Sequence, residues 1–185
     1  MALVDQVPTL LGVVVGAATS YLVTVTTERS RWRRQQAVRW DERRLSAYAD
    51  YARAVKEVCM ISLRLGAGRG LTDYPSPLEP TSAVLGEAAA AEDRRGHLLE
   101  DLRLLTDTDT ITAARVLNHA LWQLSWMAHG KVPATRESWA QAWREYRDAR
   151  DEYHRCARKS LGIAGSAVAR DQTWPPRWMA AGRQE

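Results

Sequence analysis

An uncharged, apolar segment near the N-terminus is the feature that most constrains the fold. Residues 6–27 read QVPTLLGVVVGAATSYLVTVTT and contain no Asp, Glu, Lys or Arg in 22 positions. A helix of this length spans about 30 Å, which matches the hydrocarbon core of a bilayer. Buried helices of globular proteins seldom run so long without a charge. The sequence therefore predicts a transmembrane anchor within residues 1–27.

The next segment, residues 28–44, is strongly basic. It reads ERSRWRRQQAVRWDERR, with seven arginines against three carboxylates, and it accounts for the whole net charge of +4. Basic residues that flank a membrane helix stay on the cytoplasmic side. We therefore predict a single pass with the N-terminus outside and residues 28–185 in the cytoplasm. A cleaved signal peptide would carry its basic residues before the apolar run, although cleavage near residues 18–20 stays open.

Both segments contain candidate contact residues. Gly12, Gly16 and Ser20 recur every four residues, a pattern that lets two membrane helices approach closely. The basic segment could bind anionic lipid headgroups, with its tryptophans at the depth of the interface. The residues predicted for this lipid contact are Arg29, Arg31, Trp32, Arg33, Arg34, Arg39 and Trp40. Arginines so close to a bilayer are poorly placed for phosphate contacts, so no nucleic-acid partner is expected.

The remaining sequence has the apolar periodicity of amphipathic helices and no strand-like alternation. The first helix is predicted to run on from the span to Leu65, before a loop rich in Gly and Pro at residues 66–82. Leu45 and Leu85 are assigned to the buried stripes. The further predicted helices are 82–105, capped by Ser82, then 111–129, capped within TDTDT at 106–110, and 134–161.

Four apolar stripes are buried most simply in an antiparallel four-helix bundle. We therefore predict an all-α protein, in which an N-terminal transmembrane helix continues through the basic segment into a cytoplasmic antiparallel four-helix bundle over residues 45–161. Residues 162–185 include TWPPRW and form a C-terminal tail. Docking of this tail on the bundle, contact with the membrane and disorder all stay open.

The chain lacks the common catalytic and cofactor motifs. It contains no GxSxG, Walker A or GxGxxG sequence and no pair of Glu-x-x-His motifs for a di-iron bundle. Cys59 and Cys156 have no CxxC spacing and are expected to be buried thiols. We predict that the protein is not an enzyme and needs no cofactor or metal.

Two tryptophan pairs, Trp122 with Trp126 and Trp139 with Trp143, have the i, i+4 spacing that places both members on one helix face. Such pairs either fill a core, here one that contains no Phe, or line a groove for a partner. The core is the favoured interpretation, and the groove stays open.

Two segments resemble a known group of proteins. RWRRQQAVRWDERRLSAYADYARAVKE (31–57) and RDARDEYHRCARKSLGI (147–163) are similar to parts of single-pass helical proteins of high-GC bacteria, for which no activity is known. The resemblance implies a helical protein anchored in the bacterial inner membrane. The favoured function is a non-catalytic interaction or scaffold protein that self-associates or binds a cytoplasmic protein. The alternatives are an anionic-lipid binder, a membrane-tethered nucleic-acid binder, a small pore-forming protein and an enzyme.

Overall fold

The computed structural model describes the backbone of residues 7–165 and the side chains of residues 36 and 39–165. This part of the chain forms four α-helices and no strand, so the predicted all-α class is confirmed. The helices are α1 Val7–Gly68, α2 Ser82–Leu105, α3 Thr108–Ala128 and α4 Arg136–Ser160. The chain divides into two compact units, residues 1–43 and residues 44–185.

The predicted membrane span lies outside the residues whose side chains are described. Among the residues that are described, no helix is both long and apolar enough to cross a bilayer. The predicted residues outside this part are Gly12, Gly16, Ser20, Arg29, Arg31, Trp32, Arg33 and Arg34. Of the tail, residues 166–185 also lie outside it.

Side-chain caps define the starts of the three shorter helices. Thr81 caps α2, accepting a hydrogen bond from the backbone of Val84 at 3.3 Å, so the predicted cap at Ser82 is one residue late. Asp107, inside the predicted TDTDT break, caps α3 through the backbone of Thr110 at 2.9 Å. Thr135 caps α4 in a reciprocal capping box. Each cap satisfies a backbone donor that the first turn of a helix leaves free.

The bundle within residues 44–165 packs the C-terminal part of α1 with the other three helices around one core. At one end, the Tyr48 hydroxyl shares hydrogen bonds of 2.8 Å with Thr106 and with Ser160. At the other end, Gly66 faces the indole of Trp139. Because Tyr48 contacts the end of α4 and Gly66 contacts its beginning, this part of α1 and α4 run antiparallel.

Tyrosines take the place that phenylalanine has in many cores. Tyr51, Tyr146 and Tyr153 are almost completely buried, and the rings of Tyr51 and Tyr153 meet edge to face at 5.4 Å. Two of the hydroxyls donate to backbone carbonyls at 3.2 Å, Tyr51 to Ala114 and Tyr153 to Tyr48. These hydrogen bonds satisfy buried polar atoms and tie α1 to α3 and α4.

Some sequence expectations differ from the structure. The first helix continues past Leu65 to Gly68, because the left-handed glycine that follows its end is Gly70 and not Gly66. Leu45 and Leu85 were expected to be buried, but both are exposed. The predicted buried thiols are found at Cys59 and Cys156, and neither forms a disulfide.

We expect Gly66→Ala to destabilise the bundle. A Cβ at Gly66 would lie 2.6 Å from Cη2 of Trp139, a rigid ring in the core. Relieving this overlap should lower the free energy of unfolding by about 1–3 kcal/mol. The measurement is chemical denaturation of the full chain in detergent, followed by circular dichroism.

Gly96→Ala is the matched control, because a Cβ there meets nothing within 4 Å in the interior of α2. This change should stabilise the chain by about 0.5–1 kcal/mol, since alanine is the better helix former. Equal effects of the two substitutions would contradict the packing described for Gly66.

Candidate functional site

A buried arginine on α2 is the centre of the candidate site. Arg95 is only 2% exposed, and it follows Ala91 by one turn on the face that α2 turns to the core. Its guanidinium donates to the carboxylate of Glu92, from Nε to Oε2 at 2.8 Å and from Nη2 to Oε1 at 2.5 Å. A buried charge is tolerated when such a partner compensates it.

The Glu92 carboxylate also fixes a tryptophan on α3. Its Oε1 atom accepts a hydrogen bond from Nε1 of Trp122 at 2.6 Å, and the Arg95 guanidinium lies 5.8 Å from the centroid of the Trp122 ring. The indole is thus held by a charge-assisted hydrogen bond and by a cation–π contact. One carboxylate therefore joins the buried cation of α2 to an aromatic side chain of α3.

Trp126 extends this arrangement along α3. Its ring lies parallel to that of Trp122, with an interplanar angle of 4° and 6.3 Å between centroids. The two indoles nevertheless stay 37% and 47% exposed. On α2, Leu85 and Ala89 precede Glu92 at seven- and three-residue spacing, share its face and are exposed. We call Leu85, Ala89, Glu92, Trp122 and Trp126 the α2–α3 surface.

The electrostatics of the cluster favour its ionised form. Burial alone would raise the pKa of Glu92, but the hydrogen bonds from Arg95 and Trp122 outweigh it, and the pKa is lowered. Burial likewise opposes the charge of Arg95, and the bonds to Glu92 raise its pKa overall. Burial raises the pKa of the neighbouring Tyr51 to about 12, although the charge of Arg95 works against this shift. The cluster is therefore an ion pair beside a neutral phenol.

The second predicted tryptophan pair has a different environment. Trp139 is buried against α1, and Trp143 stacks on Tyr146 at 5.4 Å and is half-buried. Both line a shallow cleft of about 210 Å³, next to an ion pair of 3.2 Å between Arg136 and Asp73. Trp122 points toward α2, whereas Trp139 and Trp143 face the end of α1. The four tryptophans therefore line two separate surfaces.

Two predicted lipid-contact residues are described, Arg39 and Trp40. Both are exposed, and the guanidinium of Arg43 lies 5.7 Å from the centroid of the Trp40 ring. Arg43 is not among the predicted lipid-contact residues. It nevertheless belongs to the same exposed basic and aromatic group.

The described residues include no candidate metal site and no activated thiol. Within residues 39–165, no group of three His, Cys, Asp or Glu side chains could hold a metal ion. Burial raises the pKa of the Cys59 and Cys156 thiols, which keeps them in the unreactive protonated form. The chemistry that the α2–α3 surface supports is the binding of apolar and aromatic groups.

We expect Glu92→Gln to destabilise the chain far more than Glu100→Gln. Both glutamates pair with an arginine three residues later on α2, but the Arg95 side chain is 3% exposed and the Arg103 side chain 50%. Removing the Glu92 charge leaves a buried cation uncompensated, a loss on the order of 2 kcal/mol given the partial exposure of Glu92. The exposed Glu100 pair should contribute less than about 1 kcal/mol. Denaturation of both variants measures the difference.

The stability difference between the wild type and Glu92→Gln should depend on pH. Because folding lowers the pKa of Glu92, its contribution is fully present above the ordinary value of 4.5 and is lost as the pH falls through the folded-state pKa. The stability gap between the wild type and Glu92→Gln should therefore shrink below pH 4.5. A gap that stays constant through the acid range would contradict an ionised Glu92.

Comparison with known proteins assigns the chain to no family. No protein-family model, no curated protein and no solved structure matches it.

Proposed function

We propose that the protein is a non-catalytic, membrane-anchored interaction protein, whose helical bundle binds a protein partner through the α2–α3 surface. The observation that carries this proposal is the exposed stack of Trp122 and Trp126, held by Glu92 against the buried Arg95. Indoles that are already fixed lose little conformational entropy on binding. Tryptophan is also among the residues most enriched at the energetic centres of protein interfaces.

The sequence supports the membrane anchor. Residues 6–27 are uncharged and long enough to cross a bilayer, and the arginines of residues 28–44 follow them. In this proposal the N-terminus lies outside a bacterial inner membrane, and the bundle lies in the cytoplasm. Gly12, Gly16 and Ser20 would allow the spans of two copies to pack together.

Binding to anionic lipid is the second candidate function. It is favoured by the exposed group of Arg39, Trp40 and Arg43, in which a cation and an indole are adjacent. Each basic residue near an anionic membrane surface contributes about 1 kcal/mol of attraction, which salt screens. Sensitivity to salt therefore separates this function from anchoring by a span.

Photo-crosslinking in cells tests the proposal. A photoreactive phenylalanine analogue at Gln123, an exposed residue beside Trp122, should give one protein adduct of defined mass. The adduct should remain in membranes washed with alkaline carbonate and with high salt, because a span resists both. It should disappear when Trp122→Ala is added, and mass spectrometry of the adduct identifies the partner.

The control places the same analogue at Asp148, an exposed residue of α4 away from this surface. Equal adducts from both positions, or an adduct insensitive to Trp122→Ala, would contradict binding through the α2–α3 surface. Release of the protein by salt alone would contradict the span and favour lipid binding by the arginines.

A further inference from the structure

We infer that the α2–α3 surface binds a second copy of this chain in a parallel, two-fold symmetric dimer. This inference rests on the proposed function, because it names the partner of the same surface. Most homo-oligomers are closed dimers in which one surface pairs with itself. Such a surface must fit its own rotated image in shape and in charge.

The shape of the surface is self-complementary. Trp122 and Trp126 project from α3, whereas the exposed side of α2 includes the small residues Gly86, Ala89 and Ala90. A Cβ added at Gly86 would meet nothing within 4 Å, so space is open there. Bulky indoles of one copy can therefore pack over the small residues of α2 in the other.

The register of α2 and α3 brings Trp126 and the small residues of α2 to the same height along the bundle axis. Glu92 bonds to Trp122 within one chain, and α2 and α3 run antiparallel. One turn farther, Trp126 is therefore level with Ala88 and Ala89. A two-fold axis along the bundle preserves height, so the partner's Trp126 comes level with Ala89 of this copy.

The charges of the two helices are complementary. Helix α2 carries five carboxylates against three arginines. Helix α3 has a single carboxylate, Asp109 in its first turn, and residues 110–128 contain Arg115 and no carboxylate. The two-fold axis would place the acidic α2 of each copy against this segment of α3 in the other, where no carboxylate repels it. A parallel arrangement of this kind also suits two chains anchored in one membrane, where tethering raises the effective concentration.

The test measures dimerisation of the full chain in detergent by analytical ultracentrifugation. All variants carry Gly16→Ile, which blocks close packing of the spans and leaves contacts elsewhere in the chain. The chain with Gly16→Ile alone should still dimerise. Trp126→Glu should raise the dissociation constant about thirty-fold or more, as loss of an interface hot spot does. Ala89→Arg should weaken the dimer similarly while both indoles are kept.

Leu104→Glu is the matched control, because Leu104 is 85% exposed and lies at the far end of α2. It should leave dimerisation unchanged, and circular dichroism should show native helix content in every variant. A monomeric Gly16→Ile chain, or a dimer unaffected by Trp126→Glu and Ala89→Arg, would overturn the inference. A Gln123 adduct with a different protein would overturn it too, but would leave the proposed function standing, whereas the absence of any adduct would remove both.

Discussion

The double hydrogen bond to the Glu92 carboxylate is the contact on which the α2–α3 surface depends. The Oε1 atom of Glu92 accepts hydrogen bonds from Arg95, which is buried, and from Trp122, which is exposed. The buried cation requires an anion beside it, and the position of that anion fixes the indole. The need to compensate the buried charge of Arg95 thus fixes the position of the exposed Trp122 indole. Trp126, which stacks on Trp122, extends this fixed aromatic surface along α3.

The helices could be predicted from the sequence because apolar residues repeat at helical spacing and because capping residues precede each shorter helix. Tertiary contacts decided what local patterns could not. Gly66 suggests a helix end, but α1 continues to Gly68, and the missing side chain at Gly66 instead gives the indole of Trp139 room to pack. Leu85 has the spacing of a core residue, yet it is exposed on the side of α2 that carries Glu92.

The candidate site was predictable only in part. The i, i+4 spacing shows that two tryptophans share a helix face, but not whether that face is inside or outside. Glu92 and Arg95 have the same spacing as the exposed pair of Glu100 and Arg103, so the pair alone gives no sign of burial. The available signal was periodicity, since Arg95 interrupts an apolar stripe formed by Ala91, Leu99 and Leu102.

A double-mutant cycle tests most directly whether Glu92 holds the exposed indole in place. The free energy of unfolding would be measured for the wild type, Glu92→Gln, Trp122→Phe and the double variant, all as full chains. Residues that share a hydrogen-bond network couple by about 0.5–3 kcal/mol, and we expect a coupling within this range. Additive effects, with a coupling below about 0.3 kcal/mol, would mean that Trp122 is positioned independently of Glu92 and would contradict the account.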